Sequence, residues 1–120
     1  MDKLIFIVDD TDLILTKIAF LLEDDYNILT MSSSEKMFKL LTKKIPDLIL
    51  LDVEMPDTSG FETINKLKEH PEWQNIPVMF LTGYIDNDIK TRSEQSGALE
   101  VICKSVSKTA LLRYVRDHIK

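Results

Sequence analysis

Reactive polar residues stand where short apolar runs end, and their types together suit one reaction. Leu4 to Val8 runs into Asp9 and Asp10, and Leu48 to Leu51 into Asp52. Val78 to Leu81 runs into Thr82, and Leu99 to Cys103 into Lys104. Carboxylates gathered in this way repel one another, so at least one should hold a raised pKa unless a cation sits among them. An all-oxygen donor set suits Mg²⁺, which keeps some of its waters and shares its shell with phosphate oxygens. No Cys or His joins the set, which argues against zinc. A carboxylate, a divalent cation, a hydroxyl and an ammonium around one cavity are equipment for phosphoryl transfer. The carboxylate attacks phosphorus and becomes an acyl phosphate, while the other groups neutralise the phosphoryl oxygens.

That chemistry requires a frame that brings the run ends together. Five short runs, the four above and Tyr26 to Met31, alternate with stretches of helical spacing such as Met37, Phe38, Leu40 and Leu41. Each run is too short for a helix and rich in β-branched or aromatic residues. Alternation of this kind implies right-handed βαβ crossovers and a parallel sheet. The first, third and fourth runs are unbroken and suit strands covered on both faces. Asn27 and Thr30 in the second and Glu100 in the fifth suit the sheet edges. The expected fold is α/β, a doubly wound (βα)5 flavodoxin-like sandwich with a five-stranded parallel sheet; the edge assignment is compatible with order 2-1-3-4-5, whose ligand site lies at the carboxyl ends of strands one and three. Ser33 or Ser34 is expected to cap the second helix and Ser107 the fifth. Gly60 is read as a flexible entry to the third, with Pro71 marking its end. The last helix, Lys108 to Ile119, places Leu111, Leu112, Val115 and Ile119 on one face.

The bulk properties bound the function. The 120 residues are read as a single domain, 1–120, with no output domain after the last helix. At 44% hydrophobic, the chain can bury a core without disulfide or metal staples, and its single cysteine fits a reducing cytosol. A net charge of -5 argues against a nucleic-acid footprint. No apolar run approaches the ~20 residues of a membrane span, and no cleavage-like site follows the first. A cytoplasmic protein is expected.

The order and spacing of the polar strand ends resemble the receiver family of response regulators in bacterial two-component signalling. The resemblance covers essentially the whole chain. Asp9-Asp10, the segment DVEMPDTSG from Asp52 to Gly60, LTG from Leu81 to Gly83, and Lys104 carry it, together with Trp73 and IPVMFLT. Each motif alone is weak; together, at the right strand ends, they are specific. The resemblance implies that Asp52 accepts a phosphoryl group from a sensor histidine kinase or histidine phosphotransfer protein. It implies that Asp10, Asp52 and the backbone carbonyl of Glu54 ligate Mg²⁺ directly, with Asp9 acting partly through water. Lys104 would pair with the phosphoryl group, and Thr82 would move to hydrogen-bond it. Such a chain is a signalling phosphoacceptor that assists its own phosphorylation and dephosphorylation, rather than an enzyme acting on another substrate.

Two positions depart from the family pattern. Ser105 stands where proline usually follows the lysine, and a cis bond before a non-proline residue costs roughly 3–4 kcal/mol, so a trans bond between Lys104 and Ser105 is expected. Val101 stands where the family often carries Tyr or Phe, so Tyr84 is a candidate substitute reporter of the site's state. Glu54 and Tyr84 flank the route of attacking water and should tune the acyl phosphate's lifetime.

Outside the site, a helical wheel of the first helix puts Leu15, Ile18, Ala19 and Leu22 on the core face. Leu13 and Phe20 fall opposite, where an apolar patch would mark a partner site; in this family the first helix commonly meets the kinase or phosphotransfer helices. Cys103 is read as a buried, inert thiol, since its neighbour Lys104 points to the other face. His70 and His118 lie near helix ends without catalytic partners. Dimerisation through the fourth and fifth helices is compatible with the sequence and has no support of its own, and the output partner is unknown. Three rivals are weighed. An aspartate-nucleophile phosphatase would use Glu54 as proton donor, but lacks its usual aspartate. A flavodoxin-like binding module lacks a glycine-bearing phosphate loop, since DDTD is acidic. A degenerate receiver acting as a scaffold is at odds with the intact acidic set.

Overall fold

The computed structural model describes residues 2–119. Five strands alternate with five helices: β1 (Leu4–Val8), α1 (Asp12–Leu22), β2 (Asn27–Met31), α2 (Ser34–Leu41), β3 (Leu48–Asp52), α3 (Gly60–Glu69), β4 (Val78–Thr82), α4 (Asn87–Ser96), β5 (Val101–Cys103) and α5 (Lys108–His118). All strand pairs are parallel, and the sheet order is β2-β1-β3-β4-β5, with the second and fifth strands at the edges as their polar residues suggested.

The alternation of side chains along each strand builds two cores, one on each face of the sheet. On one face Ile5, Ile7, Leu48, Leu50, Met79 and Leu81 pack against Leu15, Ile18 and Leu22 of α1 and Leu111 and Val115 of α5. On the other, Phe6, Val8, Ile49, Leu51, Val78 and Phe80 meet Met37 and Leu41 of α2 and Phe61, Ile64 and Leu67 of α3. β3 and β4 are buried throughout, which is why they read as unbroken apolar runs. At the β2 edge, Asn27 and Thr30 are exposed.

The starts of α2 to α5 follow local capping chemistry. Ser33 accepts a hydrogen bond from the amide of Lys36, and Ser107 from that of Ala110. Ser59 caps α3 through the amide of Glu62, and Asp86 caps α4 through that of Ile89. Four strand boundaries differ from the sequence expectation. β2 begins one residue later than Tyr26, because the turn leaving α1 still bonds the Tyr26 amide to the carbonyl of Leu22. β3 and β4 extend to include Asp52 and Thr82, so these two side chains are fixed by strand geometry rather than carried on loops. β5 is three residues, and Leu99 and Glu100 lie before it. Gly60 is also not the flexible entry expected of it. It is the first residue of α3, and a Cβ there would meet the backbone oxygen of Asp52 at 2.5 Å and Cα of Val53 at 2.9 Å. Close approach of backbone to backbone is the reason for glycine.

Among the described residues no peptide bond is cis, so the bond from Lys104 to Ser105 is trans, as expected. Among them, too, no helix is long and apolar enough to cross a membrane.

Candidate functional site

The carboxyl ends of β1, β3 and β5 bring Asp9, Asp10, Asp52 and Lys104 together. Asp9 leaves β1 with its backbone amide bonded to the carbonyl of Met31, and its Oδ1 accepts from the amide of Thr11. That second bond turns the chain into α1 and fixes the carboxylate in a buried position. Asp52, the last residue of β3, is 1% exposed. Its Oδ1 accepts from the amide of Glu54 at 3.1 Å. Lys104 follows β5, and its backbone amide donates to the carbonyl of Thr82, tying the ends of β5 and β4. Its ammonium lies 2.9 Å from Asp9 Oδ2 and 3.1 Å from Asp52 Oδ1. The carbonyl of Lys104 in turn accepts from the ammonium of Lys17 on α1.

One oxygen from each of Asp9, Asp10 and Asp52 lies within 4.8 Å of the others. Among the described residues, Asp52 Oδ2 is buried and receives no hydrogen bond, and Asp9 Oδ2 is met by the lysine ammonium. Such an oxygen carries a full desolvation penalty unless a cation or donor reaches it. An oxygen-only set with an unpartnered, buried carboxylate atom fits a small divalent cation with hard-ligand preference, of which Mg²⁺ is the type.

The electrostatics follow from burial and crowding. Asp52 is pushed from an ordinary 3.8 up to about 6, first by burial and then by the neighbouring charge of Asp9. The amide of Glu54 and the ammonium of Lys104 act the other way. Burial alone would lower the pKa of Lys104, but its hydrogen bonds and charge attraction to Asp9 and Asp52 outweigh that and raise it. Lys104 is therefore held as a cation between two carboxylates, and Asp52 is the acid whose ionisation the fold resists most clearly.

The remaining expected residues are placed as follows. Thr82 is buried, and its hydroxyl donates to the carbonyl of Tyr84 at 3.0 Å and accepts from the amide of Tyr84 at 3.3 Å. It is thus engaged with the β4–α4 loop and makes no hydrogen bond to the acidic set. Glu54 contributes its amide, while its side chain is exposed. Val101 is half-buried against the core beneath α2 to α4, and Tyr84 is 72% exposed. Leu13 and Phe20 are exposed, at 75% and 68%, on the face of α1 opposite its core residues. Cys103 departs from expectation: it is half-buried rather than buried. Its sulfur lies 3.0 Å from the hydroxyl of Ser105, whose hydrogen bond lowers the thiol's pKa. The three-residue β5 ends there. His118 pairs with Glu100 at 3.1 Å and His70 stacks on Trp73, two contacts the sequence did not announce. Lys17 and Gly60 are the site's supports that sequence reasoning missed. No local signal marks Lys17, but Gly60 lay inside the motif that contains Asp52.

Comparison with known proteins adds a family. The response regulator receiver domain matches residues 5–116. Of the relatives, a probable cyclic di-GMP phosphodiesterase of Vibrio cholerae is 35% identical over 97% of this chain, which spans 26% of that protein. The polar-differentiation response regulator DivK of Brucella ovis is 28% identical over 99% of this chain and 98% of its own. Among solved structures, the signal receiver domain of a signal transduction histidine kinase from Syntrophus aciditrophicus superposes with a TM-score of 0.85 at 29% identity, covering 96% of this chain and 88% of that one.

Proposed function

Because the chain belongs to the response regulator receiver domain family, we propose that Asp52 is the residue through which it takes up a phosphoryl group, with Lys104 and Thr82 as its partners and Asp9, Asp10 and Glu54 serving the metal. The observation that carries this reading is the pairing at β3's end: a buried carboxylate with one oxygen unpartnered and the other bound to an ammonium. Neither a phosphatase nor a cofactor-binding reading is favoured by the family match, and the phosphodiesterase name belongs to a protein of which this chain spans 26%.

Mg²⁺, held by Asp10, Asp52 and the Glu54 carbonyl with Asp9 behind, would supply charge neutralisation for the phosphoryl oxygens. The chain's own residues do the rest. Asp52 attacks phosphorus through Oδ2, the oxygen left free of hydrogen bonds; the P–N bond to the donor's phosphohistidine breaks and the imidazole leaves with the bonding pair, as the P–O bond does when acetyl phosphate is the donor. Lys104 gives up part of its contact with Asp52 and meets the oxygen of the arriving group, remaining anchored on Asp9. Thr82, at the next strand end, turns its hydroxyl from the Tyr84 carbonyl to the phosphoryl group. That turn breaks two hydrogen bonds to Tyr84 and frees the loop that follows. With Val101 in place of a ring, Tyr84 and its loop are the reporter of the change.

The donor is a histidine kinase or phosphotransfer protein, and the exposed Leu13 and Phe20 of α1 are where its helices dock. The domain acts in the cytoplasm as a single receiver unit over residues 1–120. Intact mass after incubation with acetyl phosphate and Mg²⁺ tests the reading: a gain of one phosphoryl group, lost in Asp52→Ala and on chelation, is expected. A gain that persists in Asp52→Ala overturns it.

A further inference from the structure

Among the described residues β2 is an edge of the sheet, paired with β1 alone. The direction of its backbone groups can be read from the ladder. The amide of Asn27 donates to the carbonyl of Lys3, and the carbonyl of Met31 accepts from the amide of Asp9. In a parallel ladder a residue turns its N–H and C=O to the same side, and neighbours alternate. Asn27, Leu29 and Met31 therefore face β1, while Ile28 and Thr30 present their N–H and C=O outward. An open edge of this kind is a template for another strand unless something blunts it.

Here the edge is not blunted; it forms the floor of a groove. A depression of about 550 Å³ runs from Asp12 on α1 across Thr30 and Met31 to Lys36 and Lys39 on α2 and Lys43 just past its end. A second, of about 530 Å³, shares Asp12 and Thr30 and continues along α1 to Phe20 and Glu23. The two walls differ in chemistry. The three lysines form one basic stripe, with Lys36 and Lys39 three apart on α2 and Lys43 in the turn that ends it, where its amide bonds to the carbonyl of Leu40. Lys36 touches the hydroxyl of Ser32, and Lys39 lies 3.5 Å from Glu35; both are exposed contacts that a stronger anion displaces. The opposite wall carries Asp12, Glu23 and the exposed ring of Phe20.

From this geometry we infer that the β2 edge is a docking site for an extended peptide segment of a partner protein in which acidic residues alternate with apolar ones. A strand laid beside β2 points successive side chains to opposite faces of the sheet. Its acidic residues then meet the lysine stripe, and the intervening apolar residues meet Phe20 and the α1 wall, where acids would be repelled. The outward N–H and C=O of Ile28 and Thr30 extend the ladder. A second copy of this chain does not fit. Antiparallel β2–β2 pairing about a two-fold axis normal to the sheet would set lysine stripe against lysine stripe and acidic wall against acidic wall. This surface is separate from the phosphoryl site and does not depend on Asp52 chemistry.

The test titrates the ¹⁵N-labelled full chain with a capped heptapeptide, Glu-Val-Glu-Thr-Glu-Val-Glu. Saturable shifts centred on the amides of Ile28 and Thr30 are expected. Binding should weaken about tenfold or more in the exposed double variant Lys36→Glu, Lys43→Glu, and also in Thr30→Pro, which deletes one outward donor at an edge that tolerates proline. The ¹⁵N spectrum of each variant verifies its fold, and the double variant stands alone if Thr30→Pro unfolds. Three results overturn the inference: no shift at these amides at millimolar peptide, equal binding of the same peptide with lysine for glutamate, or concentration-dependent shifts at the same amides without peptide, which would mark self-association.

Discussion

Replacing Asp52 with asparagine should stabilise the metal-free protein at neutral pH, and the size of the gain follows from the site. The buried carboxylate beside Asp9 titrates near 6 rather than 3.8. A folded-state pKa above the unfolded one means that the folded state binds the extra proton. The stability this group contributes is full below about 3.8 and is lost as the pH rises through about 6. At about 1.36 kcal/mol per pH unit, ionising Asp52 at pH 7 costs the fold up to about 3 kcal/mol. Asparagine keeps an oxygen for the Glu54 amide but gives up charge attraction to Lys104, so a net gain of about 1–2 kcal/mol is expected. For a domain of this length that is a rise in Tm of several degrees, roughly 3–5 °C per kcal/mol. The assay is urea unfolding of both proteins in chelator from pH 4 to 7.5. The advantage of Asp52→Asn should shrink by roughly 2 kcal/mol as the pH falls from 7 to 4, because the wild-type acid is then protonated. Adding Mg²⁺ at pH 7 should shrink it too, by stabilising the wild type. An asparagine variant that is less stable than wild type at every pH, with no pH-dependent difference, would refute the reasoning that Asp52 is electrostatically strained.

Further outcomes follow from the same contacts. Lys104→Met removes the cation that bridges Asp9 and Asp52; stability at pH 7 should fall by about 2–3 kcal/mol and recover on acidification, which calorimetry at pH 7 and 5 checks. Gly60→Ala drives a Cβ into the backbone of Asp52 and Val53 and should destabilise by about 2–3 kcal/mol, outweighing the ~1 kcal/mol helix-propensity gain, as denaturant midpoints would show. Phe20→Ser should change stability by less than about 0.5 kcal/mol while slowing transfer from a kinase or phosphotransfer protein and leaving acetyl phosphate uptake intact; unchanged transfer would remove α1 as the docking face.

Much of the fold was legible because burial on two faces leaves a compositional mark. Unbroken apolar runs at β1, β3 and β4 and polar breaks at Asn27, Thr30 and Glu100 separated the inner strands from the edges, while the order among the inner three left no such mark. The exposure of Phe20 was legible for a related reason, since helical periodicity separates it from Leu15, Ile18 and Leu22. What was not legible depends on tertiary approach. Gly60 read as flexible because nothing local shows that the Asp52 carbonyl passes against it. Lys17 reaches the carbonyl of Lys104 across 87 residues, a contact with no local pattern behind it. Cys103 read as buried because alternation was extended through a strand that ends there, leaving its thiol beside Ser105. Strand ends located the acidic set, but the engagement of Thr82 with Tyr84 is a property of the loop and required coordinates.

The central claim is that the acyl phosphate forms on Asp52 and nowhere else. Borohydride reduction of protein treated with acetyl phosphate and Mg²⁺, followed by peptide mapping, reads this directly, since an aspartyl phosphate is reduced to homoserine. Homoserine is expected at position 52, dependent on Mg²⁺ and abolished when Lys104 is replaced by alanine in a protein that remains folded. Homoserine at position 9 or 10, or an unmodified position 52 in protein that has gained phosphoryl mass, would contradict it.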